Sequence, residues 1–330
     1  MKPKEAVIAV TYRCNARCRM CNIWKASDVA EIDPKHYAKL PESLRSINIT
    51  GGEPFLRGDL VEVVRVIHAR APSARIVFST NGSKKDLIVE TMNEIRAFHS
   101  RIGVGVSIDG MNELHDLNRG VSGLFGSAVS TLKTLKKMGF DDLRIGMTIT
   151  AENLKDVEAV FKLSEQIGVE FSATFAHNSE IYFKKTDNTA LDFSSLDPET
   201  VYRVMRSQLR SGSVKDWFRA YHMQGVLDPR LRKEFLTHCE AGKRYFFVAP
   251  NGDVFPCQVM NLRIGNLAEV DRWEEILTPE AAARVDKRVR GCKEDCWMVC
   301  NTRSLIRSHP FKAGFWVARN KLRAQFDSSG

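Results

Sequence analysis

The chain has 330 residues, 43% of them hydrophobic and 27% charged, with a net charge of +9. This length exceeds what one hydrophobic core usually serves, so we expect one large domain and a smaller one. No apolar run reaches the roughly 18 residues of a membrane-spanning helix, and the N-terminus lacks the features of a signal peptide, which together exclude an integral membrane protein and predict a cytoplasmic one.

Along the first half of the chain, short β-branched runs alternate with longer segments of helical periodicity. The predicted strands are Ala6–Tyr12, Ser46–Thr50, Arg75–Thr80, Ile102–Ile108, Leu143–Ile149 and Val169–Phe175. The helical segments between them include Asp59–Ala71, Lys85–His99, Gly126–Gly139 and Leu154–Gly168. This alternation predicts an α/β fold with a parallel sheet, either barrel-like or open and doubly wound. In both folds the chemistry lies at the C-terminal ends of the strands.

Polar or glycine-rich motifs follow four successive predicted strands. In chain order they are the group Cys14, Cys18 and Cys21, then Gly51-Gly52-Glu53-Pro54, Asn81-Gly82 and Asp109-Gly110. Because the C-terminal ends of parallel strands meet at one edge of a sheet, we expect these motifs to surround one mouth. His177 follows the sixth strand and could contact substrate or relay protons, although a plain polar strand end is the reading we favour.

The second half of the chain has a different pattern. Asp192–Leu236 is helical without strands and indicates a connector, and Asn251-Gly252 is a strong turn signal that predicts a hairpin within Arg244–Cys257. From these changes we divide the chain into a domain at 1–190, a connector at 191–236 and a Cys-bearing module at 237–330.

The C-terminal end is basic. From Arg284 onward there are eleven Lys or Arg against four Asp or Glu. Such a surface favours an anionic partner, namely a phosphate, an acidic peptide, a lipid headgroup or a nucleic acid, although a solvated basic face without a ligand is at least as good a reading. The aromatic and basic segment Phe311–Phe326 could lie on a membrane. We favour the alternative that its apolar side packs on its own domain.

The eight cysteines form two groups separated by over 200 residues. They are Cys14, Cys18 and Cys21 in the first group, and Cys239, Cys257, Cys292, Cys296 and Cys300 in the second. Disulfide frameworks belong to small exported domains, so clustered thiols in this longer chain indicate metal or redox chemistry. Thiolates suit iron–sulfur clusters, zinc and copper(I). Three ligands in the first group would leave an open metal position, which a catalytic site needs.

The spacing Cys14-x3-Cys18-x2-Cys21 after a first strand resembles the signature loop of the radical S-adenosylmethionine (SAM) superfamily. In that family the three cysteines hold a [4Fe–4S] cluster whose open iron binds SAM. The resemblance continues at 51–54, 79–82, 107–110 and 115–120, and covers roughly residues 6–175. It implies a partial (β/α)6 barrel. It also implies cofactor-binding roles for Gly51, Gly52, Glu53, Asn81, Ser107, Asp109 and Arg119.

The C-terminal cysteines resemble part of a second pattern. Cys239-x12-Gly252-x4-Cys257 is similar to the opening of the SPASM and twitch domains, which bind auxiliary [4Fe–4S] clusters. A two-cluster domain would need seven or eight thiols, and the chain has five here. We therefore predict one auxiliary [4Fe–4S] cluster held by four of the five, with zinc as the alternative metal. A regular helix over 292–300 would separate its outer thiols too far, so the stretch is irregular or one thiol is idle. Trp297, between two of these ligands, is read as shielding the cluster.

The resemblance implies an enzyme that uses an external reductant, such as a flavodoxin or ferredoxin. It would cleave SAM to a 5′-deoxyadenosyl radical and abstract a hydrogen atom from a substrate C–H bond, with the auxiliary cluster relaying an electron or binding substrate. We expect a peptide or protein, or a small polar metabolite, as substrate; the oligomeric state stays open. The alternative is a non-catalytic iron–sulfur or zinc electron-transfer protein. It would want a fourth N-terminal thiolate, and the sequence has no cysteine between Cys21 and Cys239.

Overall fold

The structure is a computed structural model that describes residues 2–188, 198–236, 238–294 and 296–326. Within these ranges the side chains of residues 235, 236, 300, 301 and 326 lie outside the description. The strands are β1 Glu5–Thr11, β2 Ser46–Gly51, β3 Arg75–Thr80, β4 Ile102–Ser107, β5 Leu143–Ile149, β6 Glu170–Phe175, β7 Tyr245–Val248, β8 Asp253–Phe255 and β9 Gly265–Asn266. They form one sheet in the order β6-β5-β4-β3-β2-β1-β7-β8-β9.

Strands β1 to β6 are parallel, and each pairs with the next along the chain. All seven residues of β1 are buried, as expected for a strand covered on both faces. The sheet ends at β6 on one side and β9 on the other, so the barrel is open. The predicted α/β class and partial barrel are confirmed, and all six predicted strands are present with ends shifted by at most one residue.

Helices α1 to α8 lie between successive parallel strands, and α9 to α11 follow the last strand. The helices of the described ranges are α1 Leu60–Arg70, α2 Lys85–Phe98, α3 Asn112–Arg119, α4 Leu124–Lys137, α5 Val157–Ile167, α6 Glu199–Arg210, α7 Val214–Leu227, α8 Pro229–Leu236, α9 Pro279–Arg290, α10 Val299–Ser308 and α11 Pro310–Phe326. In α1 the buried positions 60, 63, 64 and 67 follow the period of an amphipathic helix. The four predicted helices correspond to α1, α2, α4 and α5, and α6 to α8 occupy the described part of the predicted connector.

The C-terminal hairpin continues the barrel sheet. Strand β7 pairs in parallel with β1, from Glu5 opposite Tyr245 to Ile8 opposite Val248, and β8 then returns antiparallel to β7. The predicted hairpin is present, with Gly252 in the left-handed region at φ +86°. The domain boundaries at about 190 and 236 stay a prediction.

Helix α10 is fixed to the start of β1 by a buried carboxylate. Glu5 accepts hydrogen bonds from Arg303 Nε at 2.8 Å and from Arg307 Nη1 at 2.6 Å. Glu5 is the first residue of β1, so these bonds tie α10 to the end of this strand that lies away from the mouth. This contact couples the C-terminal module to the barrel through paired, hydrogen-bonded charges.

Helix α11 packs only one of its faces on the protein. Ala313, Val317 and Ala324 are buried, whereas Phe311 is 91% exposed and Phe315 72% exposed. The expectation that the apolar side packs on its own domain is therefore wrong for these two aromatic rings. Contact with a membrane or another anionic surface stays a prediction, and residues 327–330 of the tail lie outside the described residues. Of the helices in the described ranges, none has the length and apolar character needed to span a bilayer.

Candidate active site

One cavity at the C-terminal ends of β1 to β6 collects most of the residues predicted to form the site. Its wall includes the three N-terminal thiols together with Gly51, Gly52, Asn81, Ser107 and Arg119. The C-terminal module contributes Gln258, Met298, Val299 and Arg303 to the same wall. The expected mouth is thus present, and the cavity continues from it into the lumen of the barrel.

The loop that carries the thiols is held by backbone hydrogen bonds to the end of α3. Arg17 N donates to Arg119 O at 2.8 Å, and Arg19 N donates to Asn118 O at 2.9 Å. Within the loop, Cys21 N donates to Cys18 O at 3.2 Å. These bonds hold the loop against the end of α3. In this position the three thiols line the cavity.

Gly51 and Gly52 allow the thiol-bearing loop to approach the end of β2. A Cβ at Gly51 would lie 2.1 Å from Thr11 O, and one at Gly52 would lie 2.3 Å from Arg13 O and 2.8 Å from Cys14 Cβ. Gly52 N donates to Thr11 O at 2.8 Å across this contact. In the structure these glycines allow the close approach of the cysteine loop, and their contact with the cofactor stays a prediction.

Burial strongly affects the thiols. It raises the pKa of Cys14 and of Cys21 to about 12, and it raises the pKa of Cys18 as well. The Arg119 guanidinium acts against this effect on all three thiols. Metal binding would have to displace these protons, because thiolates rather than thiols are metal ligands.

The cation beside the thiols comes from α3 and not from the cysteine loop. The loop itself carries Arg13, Arg17 and Arg19, but all three are exposed. Arg13 instead pairs with Glu31, with 2.9 Å between Nε and Oε1. Arg119 takes this role from α3, a helix with too few apolar residues to be detected by periodicity.

Two of the predicted cofactor-binding residues, Glu53 and Asp109, lie behind the cavity wall and do not line it. The Glu53 carboxylate is fully buried and accepts from Thr80 Oγ1 and from Asn81 N, both at 2.7 Å. Burial raises the pKa of Glu53 to about 7. These bonds join the end of β2 to the end of β3, so Glu53 positions the wall of the cavity.

Asp109 has a similar place at the end of β4. Its carboxylate is fully buried, and it accepts from Arg119 Nε at 2.6 Å and from Thr148 N at 2.7 Å. Arg119 lines the cavity while Asp109 does not. The carboxylate thus orients the Arg119 guanidinium beside the thiols through a charge-assisted hydrogen bond.

Asn81 and Ser107 differ in how much of their hydrogen-bonding capacity is used. Asn81 Nδ2 donates to Asn15 Oδ1 at 2.8 Å, and Asn81 Oδ1 accepts from Ser83 N at 2.9 Å. The Ser107 hydroxyl has no hydrogen-bond partner within the described part of the chain and lies on the cavity wall. A bound polar ligand could therefore pair with Ser107 without displacing a protein contact.

The N-terminal site has the ligand chemistry of an iron–sulfur cluster. In an iron–sulfur cubane each thiolate binds a different iron, so its ligands stand further apart than around one ion. Three soft thiol ligands around one cavity, with a cation in the wall, fit such a cluster with one iron left open.

The C-terminal thiols lie where the hairpin meets the segment after α9. Cys239 Sγ is 3.3 Å from Tyr245 Oη, and Met260 N donates to Cys257 Sγ at 3.3 Å. Burial raises the pKa of Cys239, and an electrostatic interaction with Cys292 acts in the same direction.

The segment between α9 and α10 is irregular. Helix α9 ends at Arg290 and α10 begins at Val299, so Cys292 and Cys296 precede the helix, and only Cys300 belongs to it. The side chain of Cys300 lies outside the described residues. Of the two alternatives for this stretch, the irregular one is present in its described residues; the four ligands among the five thiols stay a prediction.

Trp297 anchors this irregular segment. Its indole is completely buried and donates to His222 O at 2.6 Å, and its backbone N donates to His177 Nε2 at 2.9 Å. A Cβ at Gly225 would lie 2.0 Å from the indole ring, so α7 leaves room for it. Trp297 is thus a packing anchor for this segment, and its role as a shield of the cluster stays a prediction. His177 both accepts the Trp297 backbone N–H and lines the cavity, so its two predicted roles stay open.

Comparisons with known proteins agree with this geometry. Residues 8–164 match the family model of the radical SAM superfamily, and residues 239–301 match that of an iron–sulfur cluster-binding domain, SPASM. The chain belongs to the radical SAM superfamily. The two models together imply a SAM-binding [4Fe–4S] cluster and an auxiliary iron–sulfur cluster, and they cover all eight cysteines.

Relatives of this radical SAM enzyme include proteins of different named activities. It is 25% identical over 293 residues to the AdoMet-dependent heme synthase of Methanosarcina barkeri, covering 81% of this chain and 80% of that one. It is 28% identical over 255 residues to the mycofactocin maturase MftC of Mycolicibacterium smegmatis, covering 75% and 62%. Its fold resembles Streptococcus suis SuiB bound to SAM, with a TM-score of 0.61 at 18% identity, covering 88% and 67%.

Proposed function

We propose that this radical SAM enzyme removes a hydrogen atom from a substrate C–H bond, with the reaction taking place where the mouth meets the barrel lumen. The observation that carries the proposal is the shared cavity. It is bounded by the N-terminal thiols, by the glycine-rich end of β2, by Arg119 and by residues of the C-terminal module. A substrate in the lumen would lie beside the site of radical formation and be shielded from water by that module.

Cys14, Cys18 and Cys21 would hold the cluster, leaving one iron for SAM. When bound, the cluster and SAM supply a 5′-deoxyadenosyl radical, which is the species able to attack an unactivated C–H bond. The protein's own contribution is position and charge. Arg119, oriented by Asp109, offsets the negative charge of the thiolates, and Ser107 offers a free hydroxyl to the bound cofactor.

The seven predicted cofactor-binding residues are proposed in two groups. Gly51, Gly52, Asn81, Ser107 and Arg119 line the cavity and are proposed to contact the cofactor directly. Glu53 and Asp109 are proposed as positioning residues, because their carboxylates are buried behind the wall and already accept hydrogen bonds from the protein.

We propose one auxiliary [4Fe–4S] cluster, held by four of the five C-terminal thiols. The electrostatic interaction between Cys239 and Cys292 supports it, as does the position of Cys296 and Cys300 on either side of the buried Trp297. Met298 and Val299 of the same segment reach the cavity wall, so a cluster there would be close enough to the lumen to exchange an electron with substrate. An external reductant such as a flavodoxin or ferredoxin would supply the electron for SAM cleavage.

The relatives support two substrate classes. The heme synthase name points to a tetrapyrrole, and SuiB, solved also with its precursor peptide SuiA, points to a peptide. We propose that the substrate is a peptide or a small metabolite, as expected from the sequence. Among metabolites, the relatives support a tetrapyrrole. The cytoplasmic location stays a prediction.

The test uses anaerobically reconstituted protein with SAM and a strong reductant. We expect 5′-deoxyadenosine and about eight irons per chain, the content of two cubanes. Replacing Cys14, Cys18 and Cys21 together by Ala should abolish 5′-deoxyadenosine and leave about four irons. The exposed Phe315→Ser serves as the control and should match the wild type in both measurements. Formation of 5′-deoxyadenosine by the triple variant at the wild-type rate would sink the proposal.

A further inference from the structure

An arginine inside the barrel has no partner. Arg144, the second residue of β5, lines the lumen with its side chain. Among the residues that the structure describes, its guanidinium makes no hydrogen bond and no ion pair. Arg144 is half-buried, and a guanidinium partly withdrawn from water is normally paired, because leaving its charge unsatisfied inside a protein costs free energy.

The acidic residues around Arg144 are already engaged by other cations. Arg75 forms a bidentate pair with Asp142, with 2.6 Å between Nη2 and Oδ1. Glu170, opposite Arg144 in the sheet, is bound by Arg219 and by Lys215.

A second arginine of the lumen wall, Arg303, is bound to Glu5. Burial, together with the charges of the neighbouring arginines, lowers the pKa of Arg144 to about 10, which still leaves it protonated at neutral pH. Among the described residues of this wall, Arg144 is thus the arginine with no carboxylate bound directly to it, and Asp142 acts on it only at longer range.

The neighbouring strand leaves room for this guanidinium. Gly105 of β4 is the register partner of Arg144, and a Cβ there would lie 2.8 Å from Nε and 3.4 Å from Nη2. Gly146 and Ser172 also line the lumen and are small. The space beside the guanidinium is therefore kept open by backbone and short side chains rather than filled by an acidic residue.

We propose that Arg144 binds an anionic group of the substrate, a carboxylate or a phosphate, at the inner end of the cavity. The planar guanidinium presents paired N–H donors that match either group in a bidentate arrangement. The proposal rests on the proposed function, since it takes the lumen as the substrate site. It adds that the substrate is an anion.

The position of Arg144 also indicates how the proposed substrate is oriented in the cavity. Strand β5 continues five residues beyond Arg144 towards the mouth, a rise of roughly 16 Å along the strand. The thiols are at the mouth, so the anionic group and the reacting C–H bond lie at different ends of the bound molecule. Arg144 is thus a specificity-determining residue that anchors substrate away from the reacting atoms.

The test measures the melting temperature of the reconstituted protein with succinate, inorganic phosphate or chloride at constant ionic strength. A probe in tenfold excess over its Kd should raise the wild-type melting temperature by about 2 °C or more relative to chloride. Arg144→Met should lose this response. Gly105→Ala should weaken it, because the new methyl group displaces the guanidinium. Arg65→Met, which removes an exposed arginine of α1, should respond like the wild type. The probe that acts shows whether carboxylate or phosphate is recognised.

Equal responses of wild type and Arg144→Met, or no response of the wild type to either probe, would overturn the inference. A lower melting temperature of Arg144→Met in chloride would also count against it, since it would show a structural partner for the guanidinium. The readout needs neither SAM nor reductant. Failure of the anion response therefore leaves the reaction class standing, and failure of SAM cleavage leaves the anion site standing.

Discussion

The backbone of the cysteine loop packs directly against the end of β2. One methyl group added at this contact would therefore displace the thiols. Gly52 approaches the carbonyl of Arg13 and the Cβ of Cys14 so closely that no side chain fits between them. Backbone cannot rotate away as a side chain can, so an added methyl group would have to move the loop. The positions of the thiols therefore depend on a residue that has no functional group.

We expect Gly52→Ala to lower the iron content from about eight towards about four per chain, as the N-terminal thiols lose their common geometry. The unfolding free energy should fall by about 1–3 kcal/mol, the usual cost of overpacking. Gly126→Ala is the matched control. No atom lies within 4 Å of its Cβ position, and its place in α4 should make alanine neutral or stabilising by up to about 1 kcal/mol. Full iron content in Gly52→Ala, measured by iron assay and denaturant titration, would contradict this account.

At the scale of secondary-structure elements, one histidine joins the C-terminal module to the barrel. His222 of α7 is buried, with Nε2 at 3.0 Å from Ala173 O of β6 and Nδ1 at 3.0 Å from Thr302 Oγ1 of α10. Because a carbonyl can only accept, the proton of the neutral ring is on Nε2. The ring also stacks on Trp297, which holds the segment of the C-terminal thiols.

This contact should make stability depend on pH. Burial lowers the pKa of His222 from 6.5 to about 4. The unfolded chain therefore binds a proton at higher pH than the folded one, so the contribution of the neutral ring is complete above pH 6.5 and is lost as pH falls towards 4. We expect a loss of about 3 kcal/mol over that range, from a shift of 1.36 kcal/mol per unit.

Denaturant titrations of the wild type and of His222→Gln at several pH values would measure this dependence. The wild type should lose stability more steeply below pH 6.5, because the variant has no proton to gain at this position. Taking the difference between the two proteins removes the contributions of other groups, including acid-labile clusters. Parallel pH profiles would show that His222 does not carry the effect.

At the scale of the whole molecule, the sequence predicted the parts of the fold that are local. Strand ends carrying cysteine, glycine and asparagine could be aligned because each motif directly follows a β-branched run. The pairing of β7 with β1 could not be predicted, since parallel strands 240 residues apart leave no local signal of their partnership. Helix α3 escaped detection because only His115 and Asn118 of its eight residues are buried.

For the candidate site, too, the sequence predicted local features but not those that depend on tertiary packing. Sequence spacing identified the thiols, but it could not indicate that Arg119 rather than a loop arginine faces them, because that depends on tertiary packing. Sequence spacing did not single out Arg144 either, because its role depends on the neighbouring carboxylates being bound by other cations. The irregular stretch around Trp297 likewise follows from packing against α7, not from the local sequence.

The electron paramagnetic resonance spectrum of the reduced protein, recorded with and without SAM, tests the central claim most directly. A cluster held by three thiolates has an open iron to which SAM can bind, whereas a fully ligated cluster has none. We predict a signal that changes when SAM is added and that is absent from the Cys14, Cys18 and Cys21 to Ala variant, which should keep only a signal indifferent to SAM. A wild-type spectrum that SAM leaves unchanged, or a SAM-responsive signal that survives in the triple variant, would contradict the account.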